Sequence, residues 1–593
     1  MRASRAIRND RVWLCVVTAA AWLGASGASS LASVKRQPTP EELAGWPVDV
    51  KGFVPVQAGE HPRLLFRKSD ISRLQAQAAT PQGRAIIKRL RVQLNGSDGE
   101  SMPTRLGVKG PVSRDGSGEL ANDPPGTYTI SHTAGFGFLY VLTGEKKYAD
   151  LARRSMDAAF EGYRGRDRRY SFKAPYGALR AGPSLGWAAL AYDLCYDGWD
   201  EDYRRKVALA IQNYNEGKWM SLEELTVGAR QHPGSNHWGM QVGGAALALL
   251  AVMNDPGVDM GKIAPLLKAS EKSMVINMTQ GFGDGGFFAE GDGTGSMASH
   301  ITFLPALQAW RMAAGKDFVS PKPNAQWMAM KWFFLTVPTG GKTDLRRSFP
   351  ERGAYPHNIW ARDGLSGGGY CGIGFGVASE EQKAAILWFY NHHLKAIDEK
   401  NGTPFDAASP YPHHAILSFV NWPFGLKEKD PGEVLPHAYR DTVWGFYAWR
   451  NRWKDENDVV ISILTRRARG NFSVKAENTL TIQAMGRKMQ WGRINGGFKD
   501  AYEPRPDGST VVTTGDGSCL AVDFSSASGA DAMLVMTGPG APTSGTIVEA
   551  EGRKFSFLFL TKGKAPEPKR AIDKIIVGEQ MVRFDGKKIV LAK

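Results

Sequence analysis

Near Pro423 the apolar repeat of this chain changes from one residue in three or four to one residue in two. A helix buries residues at the first spacing and a strand at the second, so one layer of structure cannot carry both patterns. Before the change, helical segments follow one another in pairs. His132 to Leu142 precedes Glu145 to Tyr163, and Pro183 to Tyr196 precedes Glu201 to Gly217. Asn236 to Met253 precedes Met260 to Gln280, Met297 to Ala314 precedes Ala325 to Val337, and Glu380 to Ala396 follows. After the change come short alternating or β-branched runs, among them Phe446 to Arg450, Val459 to Leu464, Ala532 to Thr537 and Phe555 to Leu560. Gly, Pro and Asp separate these runs, as expected for roughly ten antiparallel strands. The predicted class is therefore a multidomain α + β chain. Stacked helical hairpins form an α/α toroid over residues 61–425, and an antiparallel β-sandwich follows over 426–593.

The chain of 593 residues is too long for one core, and its 42% hydrophobic and 22% charged residues are ordinary for a globular protein. Residues 1–32 read as a signal peptide: Arg2, Arg5, Arg8 and Arg11 precede an apolar run from Val12 to Leu23, and small residues follow. Export to the periplasm or the exterior is expected, with no stable membrane insertion once that segment is removed. Residues 33–60 form a polar, proline-bearing lead-in. Loss of four Arg and one Asp with the leader takes the net charge from +15 to +12. A basic exported chain favours anionic partners, and the lack of a dense Lys/Arg run with interleaved aromatics argues against nucleic acid. Cys195, Cys371 and Cys519 remain after the leader, too few and too widely spaced for a disulfide framework or a metal motif. No cofactor and no metal are expected.

Two polar, glycine-rich loops flank the most apolar helical segment. The first runs Gln231-His232-Pro233-Gly234-Ser235-Asn236-His237-Trp238. The second runs from Gly281 through Asp284-Gly285-Gly286-Phe287-Phe288-Ala289-Glu290-Gly291-Asp292-Gly293-Thr294 to His300. Ser235 or Asn236 is suited to cap the helix that starts there, and side chains in its first turn lie in a positive dipole field. Asn236 can bind an anion without adding charge, and His237 can move a proton near neutral pH. A capping Asn236 and a structural His237 are the competing assignment. Glu290, Asp292 and Trp238 are the expected substrate-binding side chains. The carboxylates Asp284, Glu290 and Asp292 also suit the acid and base of a glycoside hydrolase. Tyr355, His357 and Tyr370, in a Gly-rich stretch read as a loop, and His300 are further candidates. The adjacent pairs His392-His393 and His413-His414 are weak metal signals, because neighbouring helical residues diverge in direction.

His61-Pro62-Arg63-Leu64-Leu65, Ala191-Tyr192-Asp193, Asn236-His237 and the Asp284-to-Gly291 run, in this order and followed by strands, resemble the heparinase II/III-like polysaccharide lyases, which include alginate and oligoalginate lyases. The resemblance implies an α/α toroid and a β-sandwich with a sugar chain between them. It also implies β-elimination of a uronic-acid-containing polysaccharide. On that basis Asn236 binds the uronate carboxylate and His237 is base or neutralising donor. The family usually carries a Tyr after the Glu-Gly pair as the acid, where this chain has Gly293-Thr294, and an aliphatic hydroxyl is a far weaker acid than a phenol. Its His-x-His-x-Asp motif in the strand region corresponds here to Ser473-Val474-Lys475-Ala476-Glu477, without the histidines. Tyr355, Tyr370 and His300 are the expected sources of the missing acid. A non-catalytic carbohydrate-binding protein is the third expectation.

Overall fold

The computed structural model describes residues 40–103, 126–162, 170–229, 231–290, 302–322, 367–400 and 411–441. It also describes parts of 324–347 and, with breaks in the connections, 443–592. The helices that position the site are α1 (Ile71–Ala78), α2 (Pro81–Asn95), α3 (His132–Thr143), α4 (Lys146–Phe160), α5 (Ala178–Cys195) and α6 (Glu201–Gln212). They continue with α7 (Asn236–Val252), α8 (Met260–Ile276), α9 (Leu304–Ala314), α10 (Gly367–Phe375), α11 (Glu380–Phe389) and α12 (Pro412–Asn421). Their starts follow local chemistry. The Thr80 hydroxyl accepts the Gly83 N–H at α2, and Asp200 and Ser379 cap α6 and α11 in the same way.

Six helices pack neighbour to neighbour in the order α3, α5, α7, α9, α10, α12, and α12 returns to α3. The remaining long helices lie against this set, α4 on α3, α6 on α5, and α8 on α7. Glycine makes the tightest of these contacts possible. A Cβ added at Gly182 would sit 2.4 Å from the Met240 carbonyl oxygen, and one at Gly244 would sit 1.9 Å from the Gly182 oxygen. Gly182 faces Met240 and Gln241 while Gly186 faces Gly244 and Leu247, so α5 and α7 run parallel with their N-termini together.

Two boundaries differ from the periodicity reading. Helix α5 starts at Ala178, not at Pro183, which lies inside the helix. Proline removes one helical hydrogen bond, but here the backbone contact with α7 holds the preceding turn. The Gly-rich stretch expected as a loop is helix α10, so Tyr370 stands on a helix. Glycine has low helix propensity, yet a Cβ at Gly372 would come 2.4 Å from the Ser418 Cα, and close packing on α12 outweighs propensity. Helix α12 itself carries no expectation above, and Thr336–Val337 is strand rather than helix.

Beyond Pro423 a short helix, Pro431–Val434, precedes the strands. The first sheet holds β1 (Ala438–Asp441), β2 (Phe446–Arg450), β3 (Val460–Leu464), β4 (Thr479–Ala484) and β5 (Arg487–Arg493), antiparallel and in sequential order. A six-stranded antiparallel sheet spans residues 498–560, and a four-stranded one lies within 569–592. The first sheet shares the apolar core of the helices through Tyr439, Phe446 and Leu464, and its β2–β3 connection does so through Trp453, whereas Met533, Val535, Phe555, Phe557 and Val582 form a separate small core. Fully buried Arg450 fastens the first sheet to the helical part. It donates to the carbonyls of Phe333, Phe334 and Thr336 and to Asp458.

Candidate active site

Ser235 starts α7: its hydroxyl accepts the His237 N–H at 3.2 Å. Asn236 is thus the first helical residue and not the cap. Its own N–H is taken by Glu290 Oε2 at 3.0 Å, across 54 residues of sequence. Glu290 is fully buried. The carboxylate expected to touch substrate instead ties the glycine loop to the start of α7, where the helix dipole favours an anion. Trp238 is buried as well; its indole N–H donates to the Ser273 carbonyl at 3.2 Å and its ring packs on Gly228. It belongs to the core and offers no free face to a sugar. Asp292, Thr294, His300, Tyr355 and His357 lie outside the described residues.

Asn236 and His237 stand in the first turn of α7. Asn236 is buried, and its side-chain oxygen has no hydrogen-bond partner among the described residues. A buried unpaired polar atom costs stability unless a ligand or water meets it. His237 is half-buried, and burial first, then the positive charge of Arg180, lowers its pKa to about 4. The imidazole is therefore neutral at pH 7 and able to accept a proton.

Arg180 was not anticipated from sequence. It stands in the first turn of α5, is buried, and its guanidinium lies 5.5 Å over the Tyr170 ring. Tyr170 is 6.0 Å from Tyr411, which is 5.4 Å from His413 at the start of α12, and His413 stacks at 3.8 Å on Trp187 of α5. The N-termini of α5, α7 and α12 thus gather positive ends and aromatic rings on one side of the helix set. Burial holds His413 neutral, far below its ordinary pKa. The structure separates the other adjacent pair: His392 meets Glu428 at 2.8 Å, and His393 faces the Trp453 carbonyl. Among the described residues no group of three or more His, Cys, Asp or Glu is placed to hold a metal ion, and no helix is long and apolar enough to cross a membrane.

The glycine loop also reaches the first sheet. Gly286 has φ of +81°, which glycine adopts without strain, and a Cβ at Gly283 would lie 2.0 Å from Asp441. Asp441, at the end of β1, accepts the N–H groups of Gly285 at 3.0 Å and Phe287 at 2.9 Å, and that of Trp444 at 2.9 Å. Burial, opposed by these donors and reinforced by the charge of Asp284, pushes its pKa up to about 7. Asp284 itself is exposed and accepts the Val443 N–H at 3.3 Å. Phe287 stacks on Phe446 at 4.8 Å. The loop therefore couples the start of α7 to the β1–β2 hairpin.

No family model matches the chain, and no curated protein matches it in sequence. Among solved structures it is similar to heparinase III at 10% identity and a TM-score of 0.40, over 86% of this chain and 90% of that one. It is also similar to the heparan sulfate lyase HepC from Pedobacter heparinus, at 12% identity and a TM-score of 0.35, over 78% and 81% of the two chains. Both likenesses are distant.

Asn236 and His237 stand out in the sequence because a polar pair before a long apolar helix is unusual. Arg180, Tyr170 and Asp441, which the structure brings to the same helix start and loop, do not stand out. Arg180 lies in an ordinary helical run and Asp441 in a strand edge, and neither carries a local signal of its distant partner.

Proposed function

We propose that this chain is an exported polysaccharide lyase that cleaves a uronic-acid-containing, anionic polysaccharide by β-elimination. The observation that carries the reading is the neutral imidazole of His237 beside Asn236, in the first turn of a helix whose N-terminus favours anions. The Asn236 amide binds the uronate carboxylate and makes the C5 proton more acidic. His237 removes that proton; the C5–H electron pair becomes the C4–C5 double bond as the C4–O4 bond breaks. A donor at the same end protonates O4. Tyr355, Tyr370 and His300 remain candidates for it, and Tyr170 and Tyr411 join them by position. We read the closed order of six helices as the α/α toroid and the strands beyond Pro423 as its β-sandwich partner. Glu290, engaged by the Asn236 N–H, is poorly free to act as the acid of a hydrolase.

Purified protein offered a panel of uronic-acid polymers should yield unsaturated products that absorb in the ultraviolet. His237→Ala should lower that rate by a factor of ~10²–10⁴ at unchanged melting temperature. Saturated products only, or full activity in the variant, would overturn the assignment.

A further inference from the structure

Helices α5 and α7 touch backbone to backbone, and this fixes what their first turns present to each other. Gly182 meets Met240, so Arg180, two residues before the contact, and His237, three residues before it, stand at the same level on parallel helices. Arg180 is held there by its burial and by the Tyr170 ring beneath the guanidinium. A guanidinium offers a planar pair of N–H donors that matches a carboxylate or sulfate.

Resting on the lyase reading, we propose that Arg180 is a positioning residue of the reaction: it grips the acidic group of the sugar and sets it against Asn236 and beside His237. The consequence for His237 follows from electrostatics. In the free protein the Arg180 charge, added to burial, keeps the imidazole unprotonated. Among the described residues, Glu290 is engaged by the Asn236 N–H, and Arg180 is the charged group that acts on the imidazole. When an anionic sugar group binds the guanidinium, its charge offsets that of Arg180, and His237 becomes a stronger base. The base is thus strengthened by the group whose neighbouring proton it must remove. A neutral sugar would lack both the grip and this effect.

The test compares Arg180→Gln and Arg180→Lys with the parent protein. The His237 imidazole is titrated by NMR without substrate, and the pH profile of kcat/KM is measured on the uronate polymer cleaved fastest. Arg180→Gln should raise the His237 midpoint above its parent value of about 4 and shift the acid limb of kcat/KM the same way. It should also lower kcat/KM on the order of ten- to a hundredfold. Arg180→Lys should keep the midpoint low and restore part of the rate. An unmoved midpoint together with parent-like kcat/KM in Arg180→Gln would overturn the proposal, because a merely structural Arg180 changes stability and not the titration. If the parent cleaves no uronate polymer, the lyase reading fails separately. Free glucuronate then decides the anion site, which requires that it perturb the His237 signal in the parent protein and not in Arg180→Gln.

Discussion

At the C-terminal end of the α5–α7 pair, Asp193 and Asp255 close around the segment His61–Leu64. At the N-terminal end, Arg180 stands in the first turn of α5 and Asn236 and His237 in the first turn of α7. The first group is complete. Asp193 accepts from His61 Nδ1 at 2.7 Å and from the N–H groups of Arg63 and Leu64, while Asp255 meets His61 Nε2 at 3.0 Å, the Tyr192 hydroxyl at 2.7 Å and the Arg63 guanidinium. Arg63 also donates to the Met253 carbonyl at the end of α7. His61 stacks on Tyr196 at 4.0 Å, and burial on Asp255 is outweighed by His61, Arg63 and Tyr192, so its carboxyl stays below the usual range. At the other end a neutral imidazole and an unpaired amide oxygen remain. The same residue types serve opposite ends, and satisfaction of their polar atoms separates them. A closed network holds two helices together; an open one has capacity left for a ligand.

The sharpest way to break this contrast is Asp255→Ala. It leaves the buried Arg63 guanidinium without its carboxylate, and removing one partner of a buried pair costs roughly 3–5 kcal/mol. Urea unfolding should show that loss, while the folded fraction keeps its kcat. His237→Ala should do the reverse, with activity gone and stability held. Equal stability losses in the two variants would erase the distinction between the ends.

The contrast also explains what was legible in the sequence. His61-Pro62-Arg63 and Tyr192-Asp193, which carry much of the resemblance to the lyases, belong to the closed end. They report how the helices are clamped, and a fold does not establish an activity. Asn236-His237 belongs to the open end and was legible as a cap-like polar pair. The glycines of the Asp284-to-Glu290 run predict a tight turn that presents carboxylates; in the structure the turn packs on Asp441, and Glu290 anchors Asn236. Local pattern identified the loop but not its use, because Asp441 lies more than 150 residues away in sequence. Helix α10 was illegible for a related reason: a GGGYCGIGF run has poor propensity, and only its packing on α12 makes it helical.

Asp441→Ala probes the connection of the open end to the first sheet. Three N–H groups, those of Gly285, Phe287 and Trp444, lose their acceptor. At about 1 kcal/mol or somewhat more for each donor left unpaired, the expected loss is about 3–5 kcal/mol. If the turn positions Glu290 and through it Asn236, kcat/KM should fall as well. Lost stability with unchanged kcat/KM would mean that the sheet supports the fold without setting the site.

The smallest effect expected is that of Ser235→Ala, and it tests whether the open end depends on the imidazole or only on how the helix begins. The Ser235 hydroxyl accepts the N–H of His237, so its removal frees one donor in the first turn of α7. Loss of such a cap costs about 1 kcal/mol, and thermal melting should fall accordingly. The Glu290 bond to Asn236 remains and continues to hold the first residue of the helix. The imidazole and the amide then stay near their places, and kcat/KM should drop far less than in His237→Ala. A loss of rate as large as in His237→Ala, at a stability cost of about 1 kcal/mol, would show that the orientation of this turn, not the proton-accepting ring, limits the chemistry.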